Sequence, residues 1–78
     1  MGAKVTFSRS GPYLVAHVVT SQSAEGVKDS FASLARRIRN RLIDPINGGF
    51  DMHIWVRDDA YQIEVEGQVR EIAARLAG

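Results

Sequence analysis

The sequence predicts a small α+β domain, a two-layer sandwich in which a four-stranded antiparallel sheet carries two helices on one face. Three observations predict it. Apolar and polar residues alternate with period two over residues 3–8, 50–57 and 60–66, as in strands buried on one side. Apolar residues recur at helical spacing over 24–43 and again over 68–77. Clusters of Gly, Pro, Ser, Asn and Asp separate these segments.

Each element has a local cause. Val5 and Phe7 share one face of the first strand, and Arg9-Ser10-Gly11-Pro12 forms the turn after it. Residues 13–20 are apolar and rich in β-branched side chains, and Pro12 removes only a terminal donor. A four-residue loop over 9–12 sets Phe7 against Leu14 and Val5 against Ala16. Ser23 is a natural N-cap, with Glu25 in the first turn facing the helix dipole. Val27, Phe31, Leu34, Ala35, Ile38 and Leu42 then make one stripe along a helix that Asp44-Pro45 stops. Asn47-Gly48-Gly49 reads as a flexible loop.

In the next strand Phe50, Met52, Ile54 and Val56 face one way and Asp51, His53, Trp55 and Arg57 the other. A tight Asp58-Asp59 connection pairs Val56 with Tyr61, Ile54 with Ile63 and Met52 with Val65. The same register sets His53 opposite Glu64, Asp51 opposite Glu66 and Trp55 opposite Gln62. Gly67 ends the fourth strand. The last helix turns Val69, Ile72, Ala73 and Leu76 inward and a Glu71–Arg75 pair outward. The order ββαββα, closed by a right-handed crossover into sheet order 1-2-4-3, is a permuted ferredoxin-like plait. Residues 1–78 are expected to form a single domain.

The stretch Val65-Glu66-Gly67-Gln68-Val69 ahead of a helix resembles the strand–strand–glycine–helix end of BON domains. The N-terminal hairpin lies outside that family's pattern. The family's membrane association is therefore not carried over.

Composition narrows function. With no cysteine, thiol catalysis, cysteine-ligated zinc and a disulfide framework are excluded. The longest apolar run, Tyr13 to Val19, is far shorter than the ~20 residues a bilayer span needs. The N-terminus lacks a signal-peptide core, and a cytoplasmic protein without membrane attachment is the expectation. No phosphate-binding glycine loop or nucleophile motif is present, so neither cofactor nor enzymatic activity is expected. His17 and His53 fall on one predicted sheet face near Glu64, but their spacing matches no metal-ligand signature.

Two surfaces remain. If both helices cover one sheet face, the other presents Tyr13, Val15, His17, Val19, His53 and Trp55. A solvated face is ordinarily polar, so this one points to a protein interface, either a homodimer or a larger partner that the chain docks on or regulates. Aromatics on an open sheet also suit single-stranded RNA, but Asp51, Glu64 and Glu66 would repel its phosphates. The second surface is basic. Residues 28–43 carry five cations against one anion, whereas residues 44–67 carry six carboxylates against one arginine. At 100° per residue, Arg37 and Arg41 share one flank of the helix and Arg36 and Arg39 the other. These four arginines are the candidate contacts of an alternative nucleic-acid-binding function. They equally suit a solvated helix end, or pairing across a dimer with the acidic segment 58–66.

Overall fold

The computed structural model describes residues 3–38, 42–46, 49–56 and 58–76, with Ala24, residues 42–46 and Gly49 described through their backbone. The chain runs β1 (Lys4–Ser10), β2 (Tyr13–Val19), α1 (Ala24–Arg37), β3 (Leu42–Ile46), β4 (Gly49–Trp55) and α2 (Asp59–Arg75). The strands form one antiparallel sheet in the order β1-β2-β4-β3.

The β1–β2 hairpin is tighter than its sequence suggests. The ladder continues through Ser10↔Tyr13, leaving only Gly11 and Pro12 in the turn. Gly11 has φ +58°, the positive value that a type II′ hairpin requires at its first central residue. Val5 therefore meets Val18 and Phe7 meets Ala16, in place of the expected Ala16 and Leu14. The shift is two residues, so every side chain keeps its face.

Helix α1 starts where the sequence indicates. Ser23 is extended (φ −69°, ψ 162°), and its side chain accepts a hydrogen bond from the Gly26 backbone N–H at 3.2 Å. The helix stops at Arg37, well short of residue 43, and Ile38 is already extended. Leu42 and Asp44-Pro45, expected at the end of a helix, belong instead to β3, which pairs with β4 through Ile43↔Met52 and Pro45↔Phe50. Proline is tolerated there because β3 is an edge strand, where a missing backbone donor breaks no interior ladder.

The largest correction concerns residues 60–66, which are not a strand. They form the first half of α2, which continues unbroken to Arg75. Asp58 caps it by accepting from the Tyr61 N–H at 2.8 Å, with Asp59 in the first turn. The expected pairings of Val56, Ile54 and Met52 with Tyr61, Ile63 and Val65 are absent, as are those of His53, Asp51 and Trp55 with Glu64, Glu66 and Gln62. The neighbours of β4 are β2 and β3. The Val65–Val69 stretch is mid-helix, so the strand–glycine–helix order of BON domains is not present.

Helical packing explains the outcome. Val65, Val69 and Ala73 are buried one turn apart, and Tyr61 and Ile72 pack beside them. Ile63, the middle residue of the misleading alternation, is 70% exposed. The core joins this stripe to Val27, Phe31, Leu34 and Ile38 from α1 and to Leu14, Ala16, Val18, Phe50, Met52 and Ile54 from the central strands. Both helices thus share a core with one face of the sheet. Burying Phe31 completely stabilises the fold by ~1.5–3 kcal/mol relative to leaving it exposed. At the sheet margin the Arg70 guanidinium lies 4.8 Å from the Phe7 ring centroid, and Arg9 donates to Gln62. Glu71 and Arg75 form the expected surface pair at 3.6 Å.

Candidate protein-interaction face

Alternation along β2 and β4 sends Leu14, Ala16, Val18, Phe50, Met52 and Ile54 into the core. The intervening residues must therefore emerge on the opposite face. Tyr13, Val15, His17, Asp51 and His53 are half-buried there, and Val19 and Trp55 are exposed. All six residues singled out for an interface, Tyr13, Val15, His17, Val19, His53 and Trp55, share this face. Asp51, which sequence reasoning set opposite Glu66, joins them.

The register arranges these side chains in four cross-strand rows: Tyr13↔Trp55, Val15↔His53, His17↔Asp51 and Val19↔Gly49. The first row is aromatic. Tyr13 and Trp55 meet edge-to-face, with centroids 5.7 Å apart and planes at 85°, and the His53 ring lies 6.2 Å from Tyr13. In the third row His17 Nδ1 hydrogen-bonds the Asp51 carboxylate. The pair is partly exposed, and solvent screening makes such pairs worth little to stability. It does fix the histidine ring and Asp51 Oδ1; among the described residues, His17 Nε2 and the other carboxylate oxygen have no hydrogen-bond partner. The last row ends in the smallest residue available. Beside this central stripe, β1 presents Lys4, Thr6, Ser8 and Ser10, all exposed. The face therefore combines an aromatic row, Val15 and Val19 with a His17–Asp51 pair in its middle, and has a polar border along β1.

The basic segment is described only in part. Arg36 and Arg37 occupy the last turn of α1, where cations suit the helix dipole. Arg39 and Arg41 lie outside the described residues. Of the four arginines, α1 carries Arg36 and Arg37. Arg37 donates to Gln68 on α2 and borders an open surface groove with Tyr61, Glu64 and Val65.

Among the described residues, no group of three or more His, Asp or Glu side chains is arranged to hold a metal ion. None of the described helices is long and apolar enough to cross a membrane. Comparison of the chain with protein-family models, with curated proteins and with solved structures finds no match.

Proposed function

We propose that the chain is a non-enzymatic protein-interaction module that binds through the β2/β4 stripe. One observation carries the reading. The two central strands complete a core on one face yet still present Trp55, Tyr13, Val15 and Val19 on the other. Exposed aromatic and aliphatic side chains around a hydrogen-bonded polar pair, with a polar border along β1, suit a specific interface. Trp55 is its leading anchor, since aromatic side chains dominate interface energetics. The ββαββα order with sheet order β1-β2-β4-β3 supports a further reading, a circularly permuted ferredoxin-like plait with one face that no described element covers.

The test places a charge in the stripe. Val15 points away from the core, so a Val15→Glu variant is expected to keep the parent's far-UV spectrum and melting temperature. It should lose the complexes the parent forms, with itself or with other proteins, in sizing chromatography of tagged protein added to an extract. Complexes that survive the substitution in a folded variant would falsify this function.

A further inference from the structure

Resting on that reading, we infer that the occupant of the face is a second copy of this chain, related by a two-fold axis that crosses the strands at mid-sheet. The argument is the sequence of rows along the stripe. Its ends are opposite in bulk: Tyr13 and Trp55 close one end, and Val19 and Gly49 the other. Stacking two faces with the axis parallel to the strands sets aromatic rows against each other and leaves a gap beyond Gly49. An axis across the strands lays each aromatic row over the partner's small row, so large meets small at both ends.

The inner rows are complementary under the same operation. The Val15↔His53 row covers the partner's His17↔Asp51 row. Each Asp51, already accepting from His17 through one oxygen, turns its other oxygen toward the partner's His53. Each His17 lies over the partner's Val15. Along β2 and β4 the pattern answers itself, which a foreign partner does not require.

Size sets the strength. Three seven-residue strands and one five-residue strand at ~3.4 Å per residue, spaced ~4.8 Å apart, give a face on the order of 400 Å² in projection per copy. That lies at the small end of specific interfaces and goes with reversible, concentration-dependent dimerisation.

The experiment uses the absence of cysteine from the chain. Lys4 and Ser10 lie on the polar border, at the two ends of β1. Facing sheets pack ~10 Å apart, so the proposed axis brings Lys4 of one copy within ~10 Å of the partner's Ser10, while the two Ser10 positions stay more than ~20 Å apart. Lys4→Cys and Ser10→Cys proteins are treated with a bismaleimide of ~10 Å span, separately and mixed, and mass is followed by light scattering from ~1 µM to ~500 µM. The expected result is a concentration-dependent dimer, cross-linked efficiently only in the mixed sample, with Trp55→Ala weakening it at least ~10-fold. A monomer at every concentration overturns the second-copy inference and leaves the docking function to its own test. A dimer that cross-links in a single-variant sample overturns the axis. A dimer that tolerates Val15→Glu overturns both readings.

Discussion

The two faces of β2 and β4 are built from the same strands, residue by residue in alternation, yet they serve different ends. Ile54 is 1% exposed and its chain neighbour Trp55 is 39% exposed. Val18 and Val19 differ as sharply, at 1% and 43%. One face is held by both helices and determines whether the chain folds. The other carries Trp55, Tyr13, Val15 and Val19 without being covered from within the described residues, so these side chains contribute less to folding than their chemistry allows. The lesson is that apolar character alone does not report stability; the atoms packed against it do.

Substitutions at adjacent positions sharpen that contrast. The largest effect belongs to the core face: Leu14→Ala or Ile54→Ala should cost ~2–5 kcal/mol in urea unfolding, a large share of the ~5–10 kcal/mol that holds a domain of this size. Trp55→Ala removes a bigger side chain one residue away, and in dilute monomer it should cost no more than ~1 kcal/mol. Equal losses at Ile54 and Trp55 would break the comparison. On α2 the same division separates Val65, which is buried, from Gly67, which is exposed with open space where a Cβ would stand. Gly67→Ala should therefore stabilise the helix by ~0.5–1 kcal/mol, seen as a rise of several degrees in melting temperature. The smallest change is expected for Asp51→Asn, which weakens the partly exposed pair with His17 and should alter stability by less than ~1 kcal/mol. A much larger loss would show that the open face supports the fold.

Reading the sequence alone recovered the faces better than the partners. Strict alternation over residues 50–56 determines which side chains point inward, so Trp55 and His53 were legible as outward residues. Alternation does not say which strand lies alongside, and β4 took β2 and β3 as neighbours where 60–66 was expected. That segment satisfied two periods at once. Tyr61, Ile63 and Val65 alternate, while Tyr61, Val65, Val69 and Ala73 follow the helix. The helical pattern runs longer and Asp58 caps it, whereas the strand pattern had to end at Gly67. At the other error, Asn47-Gly48 between Ile46 and Gly49 is a strong hairpin signal. From the sequence it reads as a flexible loop after a helix, because the stripe from Val27 to Ile38 reaches Leu42 without changing period. The His17–Asp51 contact was not legible, because it depends on a pairing between residues 34 apart in the chain.

Pro45 limits how the molecule can grow. A bare sheet margin invites another chain to add a strand, and repeated addition yields fibrils. Here one margin is a five-residue segment in which proline has no amide hydrogen to offer an incoming backbone. The opposite margin begins at the exposed cation of Lys4. Lateral polymerisation is discouraged on both sides, so crowding should favour assemblies that close on themselves and remain in solution.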